Sequence, residues 1–309
     1  MYVFVVNPVA GNGRGKKVYH SLLKHYKLDE ESINVYLTEY EGHATKLTEE
    51  VISIYGDELE LIAVIGGDGT FFEVINGLKG NSNIKLSFIP TGSGNDLARG
   101  CDLGLNPYNQ FERIFTKANY SPYWFGLYEL DQDRENKENY FATSMGFGFD
   151  AEVAKFVNQS RMKKWLNRLR LTPLVYVYGL VVKLFIYQPK NVTLYVDGKP
   201  IQKNNIWMLT ISNHPYFGGG MKIAPEATIN PHHFTITVVN QISRWKLLFV
   251  FLSVFVGRHT SLKEIDTFQA REIELLSEKS ISYQADGYTQ DTDYCRVKKD
   301  SVKRLILRN

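Results

Sequence analysis

Three times within its first hundred residues the chain drives a short apolar strand straight into a glycine turn ahead of a helix, and this repetition limits the fold more than any other feature. Residues 2–6 lead into NPVAGNG, residues 61–65 into GGDGT, and residues 85–89 into PTGSGND. Helical patterns follow at 15–25 and 71–78, and a further strand at 33–37 precedes a helix at 43–55. Strands alternating with helices predict an α/β domain, a parallel sheet with helices on both faces. Ligands on such sheets bind beyond the carboxyl ends of the strands, where every one of these glycine turns falls.

From about residue 122 the pattern changes to runs rich in Tyr, Phe, Thr and Val, at 122–130, 139–144, 192–196, 206–212, 234–239 and 272–276. These predict a second, β-rich domain of antiparallel, sandwich-like type, with helical insertions in the basic segment described below and at 245–256. A length of 309 residues suits this division. The expected domains are 1–121 for the α/β part and 122–290 for the β-rich part. Residues 291–309, apolar at Val297, Val302, Leu305 and Leu307, form a segment that returns to the first domain.

With 44% hydrophobic and 22% charged residues the chain is no disordered polymer. Two cysteines, Cys101 and Cys295, support neither a disulfide framework nor a zinc site, which points to a reducing, cytoplasmic setting. The opening residues are expected to be a strand and not a signal peptide. The longest apolar runs, 174–187 and 245–256, fall short of the roughly 20 residues that span a bilayer.

The net charge of +3 hides an uneven distribution. Between Val153 and Val196 there is no Asp or Glu, while Lys155, Arg161, Lys163, Lys164, Arg168, Arg170, Lys183 and Lys190 are all basic. Setting these eight aside from the 36 Lys and Arg leaves 28 against 33 Asp and Glu, an acidic remainder. One basic segment on an acidic body predicts a localised anionic partner. A solvated loop followed by a buried helix is the plain alternative.

The glycine turns carry the chemistry. Gly66, Gly67 and Gly69 around Asp68, followed by Thr70, let the backbone approach a ligand without Cβ clashes. The N–H groups opening the next helix suit phosphate. Asp68 among those donors is a candidate for ordering a nucleotide's magnesium; otherwise it is an ordinary helix cap. Gly92, Ser93, Gly94, Asn95 and Asp96 repeat the design, and Asn7, Pro8, Val9, Ala10 and Gly11 offer a third loop without the spacing of a Walker A motif. Thr38 closes the second strand at the same edge.

These strings, NPVAG, GGDGTFFEVINGL, PTGSGND and the later NHPYFGGGMKIAP, resemble the bacterial diacylglycerol kinases and related lipid kinases, whose catalytic domain is shared with sphingosine and ceramide kinases. GGDGT also occurs in NAD kinases; its continuation EVINGL followed by GSGND is far more specific. The resemblance runs from Asn7 to about Asp286. It implies transfer of the γ-phosphoryl group of ATP, with Mg2+, to the hydroxyl of a diacylglycerol-like lipid at the inner membrane face, a step of phospholipid biosynthesis. By the same resemblance the nucleotide lies on Asn7, Pro8, Val9, Ala10, Gly11, Thr38, Gly67, Asp68, Gly69, Thr70, Phe71, Phe72, Glu73 and Ser93. Asp68 is required for activity and Asp96 holds its network.

The basic stretch, residues 155–190, then becomes a candidate for peripheral docking on anionic lipid. No nucleic-acid motif is present, and a homodimer is left open. Competing readings are a soluble-substrate kinase related to NAD kinase and a nucleotide- or lipid-binding homologue that has lost catalysis.

Two positions depart from the family pattern. Relatives carry a late DGE whose glutamate is the general base; here residues 284–288 read QADGY, so Asp286 and Gly287 are kept and Tyr288 stands at the base position. A phenol with an ordinary pKa near 10 is a poor base at neutral pH. Either another carboxylate such as Asp286, Asp291 or Asp293 substitutes, or transfer is slow or absent. After GGGMKIAP, relatives place an Asp-Gly pair that helps bind a structural magnesium, where this chain has Asn230, Pro231, His232 and His233. That magnesium site is expected to be missing.

Overall fold

The computed structural model describes residues 1–28, 33–116, 120–130, 138–159 and 172–308, without the side chains of 116, 172–177 and 252. The chain forms two compact units, one of Met1–Trp124 with Ser301–Asn309 and one of Phe125–Asp300.

The first unit is built on β1 (Tyr2–Val6), β2 (Asn34–Leu37), β3 (Leu61–Gly66), β4 (Lys85–Pro90) and β5 (Tyr120–Tyr123). Its sheet order is β2-β1-β3-β4, then the last strand of the chain, Arg304–Leu307, then β5. All neighbours are parallel except β5, which runs against the last strand. β3 is buried throughout its length, as a central parallel strand covered on both faces must be. The helices are α1 (Ala10–Tyr26), α2 (His43–Tyr55), α3 (Asp68–Gly77), α4 (Asp96–Gly100) and α5 (Pro107–Thr116). The helix after GGDGT thus begins at Asp68, one turn earlier than its apolar pattern suggests, because Asp68, Gly69 and Thr70 form its first turn.

The second unit starts at β6 (Gly126–Leu130), followed by β7 (Asn139–Phe141), β8 (Ser144–Gly148), α6 (Phe149–Gln159) and α7 (Thr172–Ile186). Next come β9 (Lys190–Val196), β10 (Lys199–Ser212), β11 (Tyr216–Phe217), β12 (Met221–Lys222), β13 (Phe234–Asn240) and α8 (Arg244–Val254). It ends with β14 (Ile265–Ala270), β15 (Glu272–Ala285) and β16 (Tyr288–Lys299). Its main sheet is antiparallel, in the order β14-β13-β10-β8-β15-β16-β6-β7. The two 14-residue strands β10 and β15 break register, between Lys203 and Ile206 and between Leu276 and Ile281, and β9 pairs with the far segment of each. Such breaks bend long strands, which gives the β-rich domain its sandwich-like character.

The apolar run expected as one strand over 122–130 is split at Trp124: its first part joins the sheet of the first unit and its second part that of the second. Helices α6, α7 and α8 share a core with Trp207, Met208 and Val239, into which Phe149, Leu184 and Leu247 project.

Candidate active site

At the carboxyl edge of the first unit's sheet the loops are tied to one another. Asn7 donates through Nδ2 to Thr70 Oγ1 at 2.9 Å, linking the loop after β1 to the first turn of α3, while its Oδ1 accepts from the backbone of Val9 and Ala10. Gly11, Asn12 and Gly13 have left-handed backbone, so Pro8 to Gly13 is a tight loop and regular helix starts after it. Gly11 lies so close to the carbonyl of Thr91 that a Cβ there would collide with it.

Gly67 and Gly92 face each other backbone to backbone: a Cβ on Gly92 would sit 2.7 Å from the Gly67 Cα. The loops after β3 and β4 are thereby brought together, with Thr91 N donating to Gly66 O at 2.7 Å. Thr38 is buried at the end of β2, its N–H on Val6 O.

Asp68 is the knot of this edge. Its Oδ2 accepts from Asp96 N and its Oδ1 from Leu97 N, both at 3.1 Å, so it caps α4 from another loop. Burial raises its pKa above the ordinary value, opposed by the backbone donors of Leu97, Asp96 and Asn95 and by Arg99. Asp96 joins through its backbone, and its own carboxylate is 3.3 Å from Arg99 Nη1. Asn95 holds a left-handed turn, donates to Gly92 O, and keeps a buried Oδ1 with no partner. Thr91 Oγ1 is likewise buried and unpaired.

Ser93, Val9 and Gly69 are exposed on the same loops. Phe71 and Phe72 are buried, Phe71 against Phe88. Glu73 accepts from Ala44 N at 3.0 Å and caps the start of α2; burial raises its pKa against the N–H bonds of Gly42 and Ala44. Phe71, Phe72 and Glu73 therefore seat α3 in the unit.

A polyphosphate fits this edge. Glycine backbones leave room where side chains would clash, the buried Thr91 hydroxyl is an unused donor, and the N–H groups that open the 10-residue α3 suit an anion. Among the described residues no group of three or more His, Cys, Asp or Glu converges on a point.

In the second unit, Asp286 and Gly287 have positive φ and form the two-residue turn between β15 and β16, the backbone that Asp-Gly pairs favour in hairpins. The Asp286 carboxylate accepts from the N–H groups of Ala142, Thr143 and Ser144 at 2.6, 2.8 and 3.1 Å. Burial pushes its pKa up to about 6 against those bonds. Asp286 thus fastens the hairpin to the start of β8. Tyr288 is the first residue of β16, and its half-exposed hydroxyl accepts from Gln290 Nε2 at 2.6 Å. Asp291 is ion-paired with Lys155 at 2.6 Å; burial opposes its charge, but Lys155 and Ser282 outweigh that and hold its pKa low.

One residue escaped sequence reasoning. Asp150, in the first turn of α6, is 6% exposed, and neither carboxylate oxygen has a well-formed hydrogen bond among the described residues. Burial pushes it up to about 7, with only the nearby N–H groups of Ala151 and Asp150 favouring its charge. It lies against Gly146, where a Cβ would collide with Oδ2 and stand 3.0 Å from Gln284 Nε2, itself buried and unpaired. Tyr187 Oη is unpaired too, beside Gly148. Two glycines at alternate positions of β8 make room for this pocket of buried polar groups.

Of the basic stretch, residues 161–170 lie outside the described residues. Lys155 pairs with Asp291, Lys183 with Glu152 at 2.6 Å, and Lys190 donates to Ser280 O. Asn230 Oδ1 accepts from the backbone of His232 and His233, making a loop turn ahead of β13. Among the described residues no helix is long and apolar enough to cross a membrane.

A family model for the diacylglycerol kinase catalytic domain matches residues 1–122, and one for the YegS C-terminal NAD kinase beta sandwich-like domain matches residues 143–297. The chain is 30% identical over 300 residues to "Putative lipid kinase YtlR" of Bacillus subtilis strain 168, covering 96% of each chain. It is 28% identical over 288 residues to a diacylglycerol kinase of Mycobacterium tuberculosis, covering 92% of this chain and 87% of that one. The crystal structure of a diacylglycerol kinase from Bacillus anthracis strain Sterne has the same fold, with a TM-score of 0.68, 19% identity and coverage of 100% and 96%.

Proposed function

Because the chain belongs to the diacylglycerol kinase family of lipid kinases, we propose that it transfers the γ-phosphoryl group of ATP to the hydroxyl of a diacylglycerol-like lipid, acting from the cytoplasm at the inner membrane face. The observation that carries this is the joining of three glycine loops on one sheet edge, Gly67 against Gly92 and Asn7 bonded to Thr70.

Phosphoryl transfer is mainly a matter of position and charge. Asn7 to Gly11, Gly66 to Thr70 and Gly92 to Asn95 hold the phosphates with backbone donors, and Asp68 keeps the loops in register through Asp96 and Leu97. Magnesium, brought with the nucleotide, would offset charge on the phosphoryl oxygens. Tyr288, with its hydroxyl engaged by Gln290, takes no proton in this scheme.

The test is label transfer from γ-labelled ATP to diacylglycerol in mixed micelles. Wild type should label the lipid and Asp68→Ala should lose about 100-fold or more. An inert wild type that becomes active as Tyr288→Glu would overturn the proposal in favour of a homologue weakened at its base.

A further inference from the structure

Helix α8 is apolar on two sides. Leu247, Val250 and Val254 enter the core, while Trp245 and Phe249 form a stripe on the outside, continued past the helix end by Phe255 and Val256. Helix α7 likewise buries Leu184 and leaves Phe185 and Ile186 outside. The six outer side chains are 54% to 68% exposed.

They are held side by side. Arg244, at the start of α8, donates to the carbonyls of Leu184 and Tyr187 at the end of α7, at 3.1 and 3.3 Å, and the Phe185 and Trp245 rings meet edge-on at 5.8 Å. A water-facing helix normally turns polar residues outward opposite its core stripe. Single exposed apolar residues need no explanation; an aromatic ridge across two helices does.

The charge around the ridge says what covers it. The stretch that carries α8, 227–263, has Arg244, Lys246, Arg258 and Lys263 and no Asp or Glu. Lys246 is committed to Glu264, and no acid of this stretch repels an anionic surface. A second copy docked here would set like charge against like. Phe and Trp beside Lys and Arg, on helices lying flat, is the composition of a segment that enters the headgroup region of a bilayer without crossing it.

We propose that the outer ridge of α7 and α8, centred on Trp245 and Phe249, is the surface by which this protein sits on an anionic bilayer. It rests on the lipid-kinase reading only for the choice of a bilayer as occupant. The ridge lies largely beyond residues 155–190, and its grip comes from aromatic insertion as much as from charge.

The test is co-sedimentation of the full chain with vesicles of phosphatidylglycerol and phosphatidylcholine, with neither nucleotide nor diacylglycerol. Trp245→Ala/Phe249→Ala should lower the partition coefficient by about tenfold or more, while circular dichroism and Tm stay as in wild type. Trp245 emission, read against Trp245→Phe, should shift to the blue on vesicles. Equal binding by wild type and the double variant overturns the proposal, as does a wild-type dimer that becomes monomeric in the variant with vesicle binding unchanged. Turnover of a short-chain, water-soluble diacylglycerol is measured in parallel. If it persists in both proteins while binding does not differ, the ridge is wrong and the kinase stands; if it is missing while binding falls as expected, the reverse holds.

Discussion

Asp150→Asn should make this protein more stable at neutral pH and above. The substitution keeps the shape of a side chain 6% exposed and removes its charge. The carboxyl's pKa is pushed from 3.8 to about 7 by burial, so folding favours its protonated form. The stability that Asp150 allows is complete below 3.8 and is lost as pH rises through about 7. At about 1.4 kcal/mol per pH unit, the ionised carboxyl above pH 8 costs the fold about 4 kcal/mol. Asn bears none of that charge penalty, and Gln284 Nε2 nearby lacks an acceptor.

Thermal unfolding at pH 3.5 should therefore nearly coincide for the two proteins, while at pH 8.5 the variant should melt higher by roughly 5–10 °C. A Tm difference that does not grow with pH would refute the charge argument.

Gly92→Ala would bring a methyl to 2.7 Å from the Gly67 Cα and 3.0 Å from Asn95 Oδ1, and neither neighbour can withdraw without opening the loops. Calorimetric affinity for ADP should fall by about tenfold or more, with about 1–3 kcal/mol lost in stability. Gly104→Ala, whose methyl would meet only Gln110 Nε2 at 3.5 Å, is the control and should behave as wild type. Tyr288→Phe removes a hydroxyl that serves Gln290, so kcat should stay within about twofold. A large loss with an altered pH profile would restore Tyr288 to the proton's path.

The nucleotide edge was legible in the sequence because each part is local: an apolar strand, a glycine turn and a helix within some fifteen residues. What joins the parts was not. Glu73 and Phe71 lie in the motif yet serve α2 and the core, and Asp68 reaches a helix that begins 28 residues later. Asp150 left no trace, since FGFDAEV reads as a strand running into a helix. Its lack of a partner is a property of β8, β15 and α7 packed together. Strand β16, with Asp291, Asp293 and Lys298 interleaved, carries too little apolar signal to read as a strand; Asp286 and Gly287, as a hairpin turn, were the available cue. The run over 122–130 misled because two strands of different sheets follow each other with only Trp124 and Phe125 between them.

The last strand, Arg304–Leu307, sits between β4 and β5 and pairs with Leu86 on one side and with Tyr120–Tyr123 on the other. During synthesis the first unit must therefore wait, with a gap in its sheet, until the whole second unit has left the ribosome. Arg304, almost fully buried, is the first residue of the strand that fills it. Closing over so long a separation is slow, and an unfilled sheet edge invites foreign strands meanwhile. The nucleotide loops stand on a scaffold that is completed last, so a chain stopped a few residues early would keep every loop motif and still lack the strand that links β5 to the rest of the sheet.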